Sequence, residues 1–64
     1  MLGKNIKAAR EELGISQRQL GLMVGCGKPY VSEIEAGLRN PTFNTLIKLA
    51  DGLNTTLEKL LQGL

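Results

Sequence analysis

The sequence predicts an all-α protein, a compact domain of five helices that spans residues 1–64. Apolar residues recur three and four positions apart along most of the chain, which is the spacing of a buried helical stripe. Valine, isoleucine and threonine never alternate with polar residues over a run, so strand signals are absent. Only 3% of the residues are aromatic, so the core must be aliphatic. A chain of this length makes one domain, and its small size limits the surface that folding can bury.

The first helix is predicted from about Leu2 to Leu13. Its apolar face carries, at helical spacing, Leu2, Ile6, Ala9 and Leu13. Gly14 follows and supplies the stop signal. Arg10 neighbours the apolar face, so its guanidinium should point at least partly inward and needs a partner there.

A helix-turn-helix is predicted at about residues 16–36, and its first helix has a clear start signal. Ser16 and Gln19, three residues later, form the Ser-x-x-Gln type of capping box. Gly25 suits the left-handed conformation that ends a helix. Gly25 also opens a three-residue turn of the kind that joins the two helices of this motif.

The second helix of the pair begins near Lys28 and divides into two faces. Its buried stripe is expected to hold Val31, Ile34, Glu35 and Leu38. The opposite side carries a polar N-terminal surface formed by Lys28, Pro29, Ser32 and Glu33. A recognition helix presents its N-terminal residues to base edges in the major groove, but an ordinary amphipathic helix with a solvated face has the same pattern.

Two more helices are predicted after a turn-forming Asn-Pro pair. Thr42 can cap a fourth helix that continues to about Leu53. Thr55 and Glu58 have the spacing of a second capping box, which would open a short fifth helix. The apolar residues of the fifth helix are Leu57, Leu60, Leu61 and Leu64. Because a helix of two turns cannot bury all of them against one small core, we expect them to form a homodimer interface.

Composition excludes several kinds of functional site. The chain has no histidine and one cysteine, which excludes a zinc finger, a Cys/His protease site and an intramolecular disulfide. No nucleophile is paired with a base and no glycine-rich loop matches a phosphate cradle, so we predict no enzyme activity, no cofactor and no metal. The net charge of +2 permits nucleic acid as a partner without requiring it. No apolar run approaches the roughly 18 residues of a membrane span and no signal peptide is visible, so we predict a cytoplasmic protein with no membrane partner.

Several short motifs occur together in the order and spacing of a known family. They are Ile15-Ser16-Gln17 with Leu20, then Gly25, Val31-Ser32-x-Ile34-Glu35-x-Gly37, Asn40-Pro41 and Leu46-x-x-Leu49-Ala50. Over essentially its whole length, the chain resembles the phage repressor and Cro-like helix-turn-helix family, also called the xenobiotic-response-element family. The resemblance implies a five-helix repressor-like domain that binds double-stranded operator DNA as a homodimer, with the dimer contact in the C-terminal region.

The resemblance also implies roles for individual residues. Positions that face bases are matched by Lys28, Pro29, Ser32 and Glu33. Positions near phosphates are matched by Ser16, Gln17, Tyr30, Arg39 and Asn40, and Arg18 adds a candidate charge. Arg10 and Glu35 match a buried ion pair, which their places on apolar helical faces also indicate.

Two features depart from the family pattern. Gly21 stands where the family usually has alanine, which should cost about 1 kcal/mol of helix propensity. Leu22 and Met23 are apolar where the family is often charged, so they either pack against a neighbouring surface or are simply tolerated at the protein surface. The lone Cys26 is expected to be a small buried hydrophobic residue rather than a redox sensor.

The sequence therefore predicts a sequence-specific DNA-binding transcriptional regulator, a repressor that acts as a homodimer on a near-palindromic operator. Two alternatives stay open. An antitoxin or a restriction–modification controller would have the same fold, and the sequence does not separate these from a phage repressor. A helical protein-interaction module could keep the fold without contacting DNA, and Leu22, Met23 and the acidic Glu33 favour that alternative.

Overall fold

The computed structural model describes residues 2–62, and every regular element in that range is a helix. The helices are α1 Leu2–Leu13, α2 Gln17–Val24, α3 Lys28–Glu35, α4 Phe43–Gly52 and α5 Leu57–Leu60. The all-α, five-helix fold predicted from the sequence is thereby confirmed for this part of the chain. Helix α3 packs against α1 and α2, while α5 closes the other side by packing against α1 and α4.

The core is aliphatic and takes residues from all five helices. Its buried members are Ile6, Leu20, Val24, Val31, Ile34, Leu49, Ala50, Leu53 and Leu60. In α1 only Ile6 is fully buried, and Leu2 and Ala9 pack against the core from its edge. Leu13 is exposed, so the buried part of the predicted α1 face ends one turn earlier, at Ala9.

The start of α2 is set by the predicted capping box. The Ser16 hydroxyl accepts a hydrogen bond from the Gln19 backbone N–H at 3.0 Å, and the Gln19 side-chain oxygen accepts one from the Ser16 N–H at 2.7 Å. Two of the N–H groups that a helix start leaves unpaired are satisfied in this way. At the other end, Gly25 adopts φ +74°, the left-handed conformation expected of a helix-ending glycine.

Gly21 lies where α2 meets the turn that leads into α3. A Cβ atom at this position would come within 2.4 Å of the Gly27 carbonyl carbon. The Gly21 carbonyl also accepts hydrogen bonds from the N–H groups of Cys26 and Gly27, at 2.9 and 3.2 Å. Glycine at this position costs α2 about 1 kcal/mol of helix propensity. It also allows the backbone of α2 to approach the backbone of the turn more closely than a side chain would permit.

The buried apolar face of α3 is shorter than the sequence spacing predicts. Val31 and Ile34 are fully buried, but α3 ends at Glu35, and Leu38 in the following turn is 80% exposed. The chain has left helical geometry before it reaches that position, so the i+7 spacing no longer places the side chain on the buried face. The prediction that Leu38 belongs to the core is wrong.

The last two helices are both capped by threonine. Thr42 accepts a hydrogen bond from the Thr45 N–H at 3.2 Å, as predicted for the start of α4. Helix α5 is capped by Thr56, which accepts from the Lys59 N–H at 3.2 Å. The predicted Thr55–Glu58 capping box is therefore wrong by one residue, because the Thr55 N–H instead bonds to the Ala50 carbonyl at 2.9 Å and closes the end of α4.

A side chain of α1 holds the C-terminal end of the described chain in place. The Asn5 amide nitrogen donates hydrogen bonds to the carbonyl oxygens of Leu60, at 2.8 Å, and Gln62, at 2.7 Å. These oxygens lie at the end of α5, where a helix leaves carbonyls without intrahelical partners. Asn5 therefore fixes a helix that is too short to be stable by itself.

Gly3→Ala is expected to destabilise the fold. A Cβ at Gly3 would lie 2.6 Å from the Ile34 oxygen and 2.7 Å from the Glu35 oxygen, so α1 and α3 would have to move apart. Overpacking of this kind typically costs about 1–3 kcal/mol, which outweighs the roughly 1 kcal/mol that alanine gains over glycine in a helix. Urea unfolding measures the difference.

Gly52→Ala is the matched control, because the nearest atom to its Cβ, the Met23 methyl carbon, lies at 3.6 Å, an ordinary contact. Equal unfolding midpoints for the Gly3→Ala and Gly52→Ala variants would contradict the close packing of α1 on α3.

Candidate nucleic-acid interface

The residues proposed to face bases lie together at the start and along the outer side of α3. Lys28 and Pro29 are exposed in its first turn, and Ser32 and Glu33 are half-buried one turn later. The opposite side of the same helix is fixed in the core. The sequence-predicted surface is thus a continuous polar surface on one rigid helix, a geometry suited to entering a groove of DNA.

Three candidate phosphate contacts lie at the N-terminus of α2. Ser16 is the N-cap, while Gln17 and Arg18 are the first two helical residues, and Arg18 is exposed. The first-turn N–H groups and the helix dipole favour an anion at such a position. Gln17 has a second role that the sequence does not reveal, because its side-chain N–H donates to a Glu35 carboxylate oxygen at 3.0 Å.

The other candidate phosphate contacts lie in the first turn of α3 and in the loop that follows the helix. Tyr30 is half-buried and packs against the core, and Arg39 and Asn40 are exposed in the loop that leads to α4. The Arg39 guanidinium carbon lies 5.0 Å from the centre of the Tyr30 ring, within the range of a cation–π contact. The Arg39 Nε atom also donates to a Glu33 carboxylate oxygen at 3.0 Å. This arrangement joins a proposed phosphate contact to a proposed base contact.

The ion pair predicted between Arg10 and Glu35 is present. The Arg10 Nε atom lies 2.8 Å from one Glu35 oxygen, and a terminal guanidinium nitrogen donates to the other oxygen at 3.1 Å. The side chains are only 11% and 4% exposed. The remaining terminal nitrogen donates to the Ile15 carbonyl at 2.9 Å, so a single guanidinium connects α1, the loop before α2 and the end of α3.

The same contacts stabilise the charged form of the Arg10 guanidinium. The hydrogen bonds that Arg10 donates to the Glu35 carboxylate raise the pKa of the guanidinium above its ordinary value, against the opposing effect of burial. A raised pKa in the folded state stabilises the fold at every pH below the ordinary pKa of arginine. The ion pair therefore holds the C-terminal end of α3 in a fixed relation to α1 and to the loop before α2.

Comparison with known proteins identifies the family to which this helix-turn-helix belongs. The family model for helix-turn-helix proteins matches residues 6–60, which include both helices of the motif. The chain belongs to the helix-turn-helix family of transcriptional regulators. It is 41% identical to the control protein C.SmaI of Serratia marcescens over 66 aligned positions, which cover all of this chain and 79% of that protein.

Solved structures of the family superimpose closely on the five helices. One is the P22 c2 repressor in complex with a synthetic operator, at 33% identity and a TM-score of 0.92, covering 98% of this chain and 96% of that one. Another is the restriction–modification controller C.AhdI of Aeromonas hydrophila, at 30% identity and a TM-score of 0.90, covering 94% of this chain and 87% of that one. The repressor-like fold implied by the sequence motifs is confirmed.

The residues expected at a dimer interface do not share one environment. Leu60 is 1% exposed and belongs to the core, so it has no surface left for a partner, and its assignment to the interface is wrong. Leu57 is half-buried against the core, and Leu61 is 38% exposed. Leu64 lies outside the described residues. Leu60 is buried because α5 is a single turn and its inward side completes the core beside α1 and α4.

The two apolar departures from the family pattern are both at the surface. Leu22 and Met23 are exposed near the end of α2, where the Met23 methyl group comes close to Gly52 of α4. Cys26 is half-buried against the core, which fits its predicted packing role in part. Among residues 2–62, no helix is long and apolar enough to cross a membrane.

Proposed function

We propose that this protein is a sequence-specific repressor that binds double-stranded DNA as a homodimer on a near-palindromic operator. The observation that carries the proposal is the polar surface of α3. The opposite side of this helix is anchored in the core by Val31 and Ile34. Its C-terminal end is held by the Arg10–Glu35 pair. A helix that is already fixed in position lowers the ordering cost of binding. The P22 c2 repressor in complex with a synthetic operator has the same fold, which supports operator DNA as the partner, and a recognition helix of this motif enters the major groove.

Affinity in this proposal comes from the DNA backbone. Ser16, Gln17 and the first N–H groups of α2 provide uncharged contacts to a phosphate, and Arg18 adds charge. A second group of contacts comes from Tyr30 in the first turn of α3 and from Arg39 and Asn40 in the loop after it. Contacts of this kind fix the position of the protein on the duplex but carry little sequence information.

Specificity comes from the four residues on the outer side of α3. Lys28 suits the O6 and N7 acceptors of guanine, Glu33 can accept from the amino group of cytosine, and Ser32 can bond to either kind of edge. Pro29 has no N–H and contributes shape and apolar contact. The function is therefore binding, with sequence read by one helix of each protomer.

A role as a restriction–modification controller is the second candidate. The similarity to C.SmaI and to C.AhdI favours it, and it uses the same DNA-binding surface. Selection of bound duplexes from a random-sequence pool tests the shared part of both proposals. A recovered consensus with two-fold symmetry is expected, whereas recovery of unrelated sequences would favour a protein-interaction module instead.

Lys28→Ala is expected to weaken binding to the selected duplex by about 1–3 kcal/mol and to relax the base preference at one position of each half-site. Fluorescence anisotropy with duplexes substituted at each position measures both effects. Lys7→Ala is the matched control, because it removes the same charge from an exposed position of α1 outside the motif. Equal losses on every sequence would make Lys28 a phosphate contact and not a base contact.

A further inference from the structure

Glu33 presents an unusual problem for a DNA-reading surface, because a carboxylate there is repelled by the phosphates on both sides of the groove. In the structure this carboxylate has a cationic partner, Arg39, whose Nε lies 3.0 Å from one Glu33 oxygen. The two side chains are 51% and 44% exposed. An ion pair this exposed contributes little to folding stability. Its effect at the proposed reading surface is instead on the charge that α3 presents to DNA.

The backbone brings Arg39 back over α3. The chain turns immediately after the helix, and the Leu38 N–H donates to the Glu33 carbonyl at 2.8 Å. Gly37 adopts φ +79° in this turn, a conformation that glycine reaches without strain. The turn therefore places a residue six positions further along the chain beside the Glu33 side chain.

The Tyr30 ring fixes the position of the guanidinium. Its centre lies 5.0 Å from the Arg39 guanidinium carbon, and Tyr30 itself is packed against the core. Arg39 therefore contacts an aromatic ring on one side and a carboxylate on another. Within residues 2–62, the Nε–Glu33 bond is the one hydrogen bond of the Arg39 side chain, and the second Glu33 oxygen accepts none.

We propose that Arg39 is a specificity-determining residue that acts through Glu33. Its guanidinium neutralises the carboxylate and holds one oxygen, so that the other oxygen is left to accept a hydrogen bond from the amino group of cytosine. The proposal rests on the DNA-binding function proposed above. It also changes the part given to Arg39, from an independent phosphate contact to the positioning partner of a base contact.

The physical reason is that DNA binding excludes water from this pair. Charges interact more strongly when water is displaced, so an unpaired Glu33 beside phosphates would oppose binding. A paired Glu33 keeps its acceptor oxygen and loses most of its repulsion. Arg39 therefore makes a carboxylate usable for reading cytosine in a strongly anionic groove.

A double-mutant cycle with Glu33→Gln, Arg39→Gln and the combined variant tests the proposal. Affinities are measured on the selected duplex and on duplexes with each cytosine of the consensus replaced. We expect Arg39→Gln to weaken binding and to abolish the cytosine preference at the position that Glu33→Gln also affects. If the two substitutions acted independently, the loss of affinity in the combined variant would be the product of the two single losses. We expect the combined variant to bind about tenfold or more tightly than that, because it has no unpaired carboxylate.

Arg39→Lys separates positioning from simple charge. Lysine keeps the attraction to phosphate but lacks the planar fork that stacks on Tyr30 and pairs with Glu33, so we expect this variant to lose the cytosine preference too. Single effects that multiply without coupling, or a cytosine preference that survives Arg39→Gln, would overturn the proposal. A wild-type protein with no sequence preference would overturn the proposed function itself, which is a distinguishable result. Circular dichroism of each variant confirms that it is folded.

Discussion

Glu35→Ala is expected to lower the free energy of unfolding by about 3–5 kcal/mol, the usual cost of removing one partner from a buried ion pair. The variant leaves the Arg10 guanidinium, whose side chain is only 11% exposed, without its carboxylate. It also removes the acceptor of the Gln17 side chain. Domains of this size have limited stability to lose, so a large unfolded fraction at room temperature is part of the expected result.

Glu33→Ala is the matched control for this measurement, because it removes a carboxylate from a pair that is about half exposed. Surface pairs contribute about 0–1 kcal/mol, so Glu33→Ala should change the urea midpoint little. Equal midpoints for the Glu33 and Glu35 variants would show that the Arg10–Glu35 pair does not hold the helices together.

Insertion of five base pairs between the two half-sites of a selected operator is expected to weaken binding about 100-fold or more. In the proposed homodimer, the two α3 helices enter successive major grooves on one side of the duplex, about 34–36 Å apart. Five base pairs rotate the second half-site by about half a turn, so the two protomers can no longer bind together, and the avidity of linked sites is lost.

The control duplex carries the same five base pairs outside the half-sites, which preserves length and charge. Leu61→Asp provides an independent test, since this residue follows α5 and is exposed, and the variant should weaken binding while the monomer stays folded. Equal affinity for the wild-type and lengthened operators would contradict the symmetric dimer, as would a 1:1 complex in sedimentation at saturating DNA.

The helices could be predicted from sequence where their signals are local. The Ser16–Gln19 box and the Thr42 cap depend on residues three positions apart, and Gly25 ends α2 by its own left-handed conformation. The Arg10–Glu35 pair joins distant residues, yet each member stands out as a charge on an apolar face. A buried charge needs a partner, so the composition of the two faces indicates the pair, as the family resemblance also does.

The errors have two causes, helix ends that differ from the predicted ones and the competition of neighbouring apolar residues for the core. Leu38 has the right spacing, but α3 ends before it. Leu60 is buried in the core, although Leu57 and Leu61 of the same segment are equally apolar and are not fully buried. The contacts of Arg39 with Glu33 and Tyr30 depend on how the loop after α3 turns back. No pattern of spacing encodes that turn, and the coupling at the candidate site was therefore visible only in the structure.

The central claim, sequence-specific binding of double-stranded DNA, is tested most directly by titrating a selected duplex and a scrambled duplex of equal length at several salt concentrations. The selected duplex should bind about 1,000-fold or more tightly than the scrambled one at physiological salt. The logarithm of its binding constant should fall linearly with the logarithm of salt, with a slope near −0.9 for each phosphate contact. Equal affinities for the two duplexes, or a binding constant that does not change with salt, would contradict the account.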